Sequence, residues 1–166
     1  FIPVGSVEFV NKVLSFNGVG PMKPINIPEQ LRKEEFLSRK IAFAKNRKEI
    51  DEIKKNWNAK HVFIKSNTGV KIWTPELYTG KDIIPEDKEY FVSEAIDFVS
   101  EWRCFVYKGK LKGIKHYLDD FWTMPNKEFV EKCITEIGES IPAYTLDIGI
   151  TKDGKNAVIE VHNFLA

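Results

Sequence analysis

The chain has 166 residues, enough to bury a core as one domain or as two small lobes. Apolar residues make up 43% and charged ones 30%, and 25 basic side chains against 24 acidic ones leave a net charge of +1. That balance gives no general attraction to nucleic acid or an anionic membrane; no stretch is apolar enough to span a bilayer; two cysteines are too few for a disulfide scaffold or zinc cage.

Phe1 to Val4 reads as a short strand broken by Gly5-Ser6, and Ser6 is placed to cap a helix from Val7 to about Phe16. Val7, Val10, Val13 and Leu14 recur there at helical spacing, and Asn17-Gly18 ends the helix. A proline-punctuated connector runs from Pro21 to Pro28, and Glu29 to Phe36 is predicted as a short helix. Between Lys40 and Lys55 the charge pattern suits an exposed helix near Arg47 to Lys55, its charges a solvated face.

His61 to Ile64 is expected as a strand, Ser66 to Gly69 as a polar turn and Val70 to Trp73 as a returning strand. Lys65 and Lys71 flank that turn. Its residues Ser66, Asn67, Thr68 and Gly69 are able to bring backbone N–H groups close to an anion. Two lysines in such a place suit a polyphosphate, although an ordinary surface hairpin fits the same residues. The spacing is not that of a Walker loop.

Phe91 to Ile96 is a further apolar strand carrying Glu94. EWRCFVY (101–107) alternates strongly, Lys108-Gly109-Lys110 turns, and Leu111 to Tyr117 returns, which sets Arg103 and Lys115 on neighbouring strands. An arginine on a central strand is costly unless it meets an anion, and Glu101, Asp147 and Glu160 are the acids at hand. Asn126 to Ile137 is an amphipathic helix burying Phe129, Val130, Cys133, Ile134 and Ile137, with Gly138 ending it. Cys104 and Cys133 both lie in apolar-periodic stretches and are expected as buried free thiols in a reducing compartment.

AYTLDIGITKDGKNAVIEVHNFLA (143–166) reads as two strands joined by a turn at Lys152 to Lys155, where Asp-Gly favours positive φ. Each strand carries one acid in apolar company, Asp147 on the first and Glu160 on the second. Carboxylates placed side by side repel unless a cation lies between them, and Mg²⁺ is the natural occupant. Two acids at strand edges, facing water, are the alternative.

In their order these fragments resemble the ATP-grasp superfamily, most of all its small phage and prophage clade defined by one arginine and two lysines. IPVGSVEFV (2–10) resembles that clade's opening strand and helix, and FIKSNTGVKIWTPELYTG (63–80) its lysine hairpin. VSEAIDFVSEWRCFV (92–106) resembles the hinge acid and Glu-Trp-Arg strand, and AYTLDIGI with VIEVHNF the metal-binding strand pair. The resemblance implies an α+β fold of two small lobes, each a mainly antiparallel sheet with helices, with the nucleotide between them. It divides the chain into an N-terminal strand-helix region (1–58), a lysine-hairpin region (59–92) and a metal-binding region (93–166).

By the same resemblance Lys65 and Lys71 hold ATP phosphates under the loop Ser66, Asn67, Thr68 and Gly69. Glu94 and Ile96 belong to the hinge that meets adenine and ribose. Arg103 contacts the γ-phosphate or an acyl phosphate, with Lys115 assisting. Asp147 and Glu160 ligate Mg²⁺. The family's usual Asn two residues after that Glu is replaced by His162, followed by Asn163, so either is a candidate third ligand. Imidazole is a poorer Mg²⁺ ligand than an amide oxygen; His162 therefore either faces substrate or brings in Mn²⁺.

The implied activity is an ATP-dependent carboxylate–amine ligase working through an acyl phosphate, in a cytoplasmic setting. Its partners would be ATP, a carboxylate and an amine, with no membrane or nucleic acid, and a homodimer is left open. A nucleotidyl or phosphoryl transferase and a non-catalytic nucleotide-binding module are the rival readings. Lys65 is followed by Ser-Asn-Thr-Gly and not by the x-Asp-Gly of nucleotidylation. Trp73, Trp102, Trp122 and Tyr117 either line an acceptor pocket or pack in the core.

Overall fold

A computed structural model describes residues 7–20, 25–68 and 73–163. The expected strand at Phe1 to Val4, the Ser6 cap, and the returning strand at 70–73 apart from Trp73 lie outside those residues. Helix α1 (Val7–Phe16) is followed by a 3-10 turn at Glu29–Leu31 and a short helix α2 (Glu34–Leu37). The sequence predicts a single helix over Glu29 to Phe36. Lys33 is instead extended and starts α2 afresh, and the break lets Leu31, Phe36 and Leu37 all enter the core.

Two four-stranded antiparallel sheets carry the rest. The first runs β1 (Ile41–Ala44), β4 (Tyr90–Glu94), β2 (Val62–Ser66), β3 (Glu76–Tyr78) in spatial order. Helix α3 (Arg47–Asn56) backs it, started by Asn46, whose side chain accepts from the Glu49 N–H. Ile50 packs with Val62, Ile64, Tyr78, Tyr90 and Val92 beneath this sheet. Strand alternation then turns Phe63, Lys65 and Phe91 to the opposite face.

The second sheet runs β6 (Lys110–Asp119), β5 (Phe98–Tyr107), β7 (Ala143–Thr151), β8 (Asn156–Asn163). Helix α4 (Lys127–Ile137), capped by Asn126 and ended by Gly138, buries Val130, Cys133, Ile134 and Ile137 against Cys104, Val106, Tyr144, Leu146 and Ile148. Phe36, Leu37 and Phe91 join that same core, so it knits the two sheets together. Residues 95–97 link β4 to β5. The α+β architecture of two antiparallel sheets with helices agrees with the sequence-based expectation.

The hairpin between β7 and β8 is a three-residue loop: Gly154 N–H donates to Thr151 O at 2.9 Å and Thr151 N–H to Lys155 O at 2.9 Å. Gly154 alone of the Asp-Gly pair takes positive φ, +78°, as the bulged end of such a loop requires. A second irregularity matters more. Asp147 pairs with Glu160 but Ile148 pairs with Val158, so Ile159 is an extra residue in β8. Val158 and Val161 both point into the core, three residues apart, which strict alternation forbids. The bulge turns Glu160 out of the core and onto the face of Asp147.

The bulge is held by Arg39, which is 9% exposed. Its guanidinium donates to Val158 O at 2.8 Å, to Ile159 O at 3.3 Å and to Leu37 O at 3.1 Å. Burial lowers its pKa to about 10, against a pull upward from Glu160, and it stays charged at neutral pH. Removing it strands buried carbonyls. Arg39→Met is expected to lower the unfolding free energy by about 1–3 kcal/mol in urea titration; a change within measurement error would contradict the role given to it.

Candidate functional site

The outward face of the second sheet carries a row of charge. Register aligns Lys115 with Arg103, Arg103 with Asp147 and Asp147 with Glu160, so β6, β5, β7 and β8 contribute in turn. Period-two alternation puts Glu101, Thr145 and Gly149 on this same face, while Tyr144, Leu146 and Ile148 take the core side. At Gly149 a Cβ would lie 2.3 Å from the Phe98 ring, so only glycine permits that ring to lie over the strand.

Arg103 grips Asp147 in a fork, Nε to Oδ1 at 2.8 Å and Nη2 to Oδ2 at 2.7 Å. That contact raises the Arg103 pKa further above its ordinary value. A bulge opposite Glu101 and Trp102 leaves Tyr117 as the extra residue of β6, and its ring lies 5.0 Å from the Arg103 guanidinium. Lys115 is exposed beside it. Glu101 is half-buried, and burial raises its pKa, with Asp147 and Asp119 adding to the rise.

Lys65 crosses from the first sheet. Its ammonium lies 2.5 Å from Glu160 Oε1 and 5.1 Å from the Phe91 ring centre. Glu160 also meets His162, whose Nε2 is 3.0 Å from Oε2 and 4.0 Å from Asp147 Oδ2. Burial pushes the Glu160 carboxyl up, but the His162 hydrogen bond and the Lys65 ammonium outweigh it and bring the pKa down to about 2. Lys65, Glu160, His162, Asp147 and Arg103 thus form one continuous chain of polar contacts across the two sheets.

The other expected site residues divide. Lys71 and Gly69 lie outside the described residues. Ser66 and Thr68 share a hydroxyl contact of 3.3 Å, Thr68 Oγ1 donates to Asp87 at 2.6 Å, and the Asn67 amide donates to Glu89. Trp73 Nε1 also donates to Asp87, at 3.0 Å. Burial would raise Asp87, yet hydrogen bonds from Ser66, Thr68 and Trp73 hold it at about 2. The side chains of this loop therefore brace it against residues 87–89. Glu94 binds Lys40, accepting from its N–H at 2.8 Å with its ammonium at 3.3 Å, at the start of the link that also holds Ile96.

Asn163 pairs with Tyr144 and so falls on the core side; His162, opposite Thr145, is the residue of the two that reaches the carboxylates. Trp102 is buried and Trp122 is 87% exposed. Cys104 and Cys133 are free and buried, their thiols pushed up to about 12 by burial, which leaves no thiolate at neutral pH for nucleophilic work. Arg39 is the residue the sequence did not mark.

Among the described residues no three His, Cys, Asp or Glu side chains form a ready metal cage. Asp147 is turned to Arg103, and Glu160 to Lys65 and His162. The donors themselves nonetheless suit a divalent ion, and Thr145 Oγ1, 1% exposed beside them, is buried with no hydrogen-bond partner.

Residues 36–165 match a family model described as an ATP-grasp domain, the second family of the clade named for one arginine and two lysines. The chain belongs to that family. Solved ATP-grasp structures share its fold. A RimK domain protein ATP-grasp from Sphaerobacter thermophilus superposes with a TM-score of 0.64 at 16% identity, covering 82% of this chain and 57% of that one. D-alanyl-alanine synthetase A from Vibrio cholerae gives 0.59 at 15% identity, covering 93% and 62%. The ATP-grasp ligase PsnB, complexed with minimal precursor, Mg and ADP, gives 0.60 at 14% identity, covering 82% and 48%. The chain thus spans about half to three-fifths of the length of these ATP-grasp structures. No curated protein matches it in sequence. Among the described residues no helix is long and apolar enough to cross a membrane.

Because Glu160 is held at about 2 against an ordinary 4.5, its contribution to stability is complete above pH 5 and is lost as pH falls toward 2. The difference in unfolding free energy between wild type and Glu160→Gln should therefore shrink from pH 6 to pH 2, followed by chemical denaturation across that range. A difference independent of pH would show that the carboxylate is not held by its neighbours.

Proposed function

We propose that this ATP-grasp protein is an ATP-dependent carboxylate–amine ligase that activates its acid as an acyl phosphate. The observation that carries the reading is the meeting of Lys65 from one sheet with the Arg103–Asp147–Glu160 row of the other. Cations and carboxylates there neutralise one another where the two sheets face. An incoming nucleotide with its divalent ion offers each a better partner: phosphate oxygens for Lys65 and Arg103, the ion for Asp147 and Glu160.

Phosphoryl transfer to a carboxylate asks the protein for position and charge, not for a nucleophile. Lys65 would hold phosphate oxygens from the first sheet. The planar Arg103 fork, set against Tyr117, would meet the charge that builds on the transferring group, with Lys115 beside it to draw in the carboxylate. Mg²⁺ bound at Asp147 and Glu160 would supply charge neutralisation between phosphates. Lys71 and the backbone of Ser66 to Gly69 would complete the phosphate cradle, and the segment through Glu94 and Ile96 would meet adenine and ribose. The amine then attacks the acyl phosphate and releases inorganic phosphate. The precursor complexes of PsnB make a peptide acceptor the first class to try.

Hydroxylamine as a generic amine, with Mg²⁺, ATP and a panel of peptides and amino acids, tests this. Hydroxamate formed with stoichiometric ADP and phosphate is expected. Pyrophosphate release would instead indicate nucleotidyl transfer, and tight ATP binding without turnover a binding module. Lys65→Ala and Arg103→Ala are each expected to cut turnover by about 100-fold or more; wild-type rates in either would remove that residue from the site.

A further inference from the structure

On the reading of the Asp147 and Glu160 strand pair as a cation site, we infer that His162 makes it selective for an ion that accepts nitrogen, with Mn²⁺ bound in preference to Mg²⁺. The imidazole is not simply nearby. Its Nε2 faces both carboxylates, 3.0 Å from Glu160 Oε2 and 4.0 Å from Asp147 Oδ2. Donors around an octahedral ion at about 2.1 Å stand about 3 Å apart when adjacent and about 4.2 Å when opposite. The present separations are close to those values. The position of the ring is fixed by register, because His162 pairs with Thr145, two residues from Asp147 on the same strand.

A second, independent feature points to a ligand here. Thr145 is 1% exposed, lies on the same face between His162 and Asp147, and its hydroxyl has no partner. A buried hydroxyl left unsatisfied is costly, and a ligand of the bound ion is the group this position would serve. Mg²⁺ is small, hard and slow to give up water for anything but oxygen, whereas first-row transition ions accept imidazole readily. Two carboxylates with one imidazole nitrogen therefore favour Mn²⁺, while keeping enough oxygen to bind Mg²⁺ weakly.

The test uses Mn²⁺ with the non-hydrolysable analogue AMPPNP and the whole chain. Pulsed electron paramagnetic resonance should show nitrogen coupling to Mn²⁺ that changes its isotope pattern when the protein is grown with ¹⁵N-histidine. Calorimetry should show Mn²⁺ bound about tenfold or more tightly than Mg²⁺, with the ratio falling toward one in His162→Asn. Thr145→Val, which keeps the branched shape, should weaken the ion about threefold without lowering ligand-free stability. Bound Mn²⁺ with no histidine coupling and an unchanged ratio in His162→Asn would overturn this inference while leaving the cation site intact. Failure of wild type to bind either ion with the analogue would overturn the cation site as well.

Discussion

The contact between Lys65 and Glu160 is the one on which the site depends, since it brings a cation of the first sheet against a carboxylate of the second. Neither partner is well solvated: their side chains are 11% and 27% exposed. Charges in such a place must be answered locally, and the chain Lys65–Glu160–His162–Asp147–Arg103 answers them in sequence. The ligand-free site is thereby close to electrically balanced. A highly charged nucleotide and a divalent ion would enter it together and exchange partners with groups already in position, which preserves that balance.

Getting the charges onto one face takes departures from regular strand geometry. Without the extra residue Ile159, Glu160 would share the core side with Val158, and its carboxylate would be buried among aliphatic side chains. Arg39 underwrites that departure by binding the carbonyls of Val158 and Ile159. The extra residue Tyr117 likewise sets an aromatic ring against Arg103. The loop after Lys65 is stiffened from behind by Asp87 and Glu89, so the lysine strand ends in a braced turn. Buried cysteines and the α4 face contribute packing alone.

Much of this is legible in the sequence because it rests on local periodicity. Alternation in EWRCFVY and its return strand sets Arg103 beside Lys115, and a short turn between two apolar runs sets Asp147 beside Glu160. Strand β1 leaves little signal because IAFA is four residues long in a highly charged stretch, and β3 because two of its three residues are exposed. The sequence places the return partner of β2 near Val70 to Trp73, while pairing is with Glu76–Tyr78. Arg39 leaves no local trace: its partners lie 119 and 120 positions away in the chain. The bracing of Ser66, Asn67 and Thr68 depends on acids about twenty residues on, which no hairpin pattern announces.

A crystal structure with AMPPNP and a divalent ion is the most direct measurement. Phosphate oxygens are expected on Lys65 and Arg103, with the ion held by Asp147 and Glu160 and the Lys65–Glu160 contact opened. A nucleotide bound elsewhere, with Lys65 still on Glu160 and Arg103 still on Asp147, would contradict the assignment of this site as the place where ATP is used.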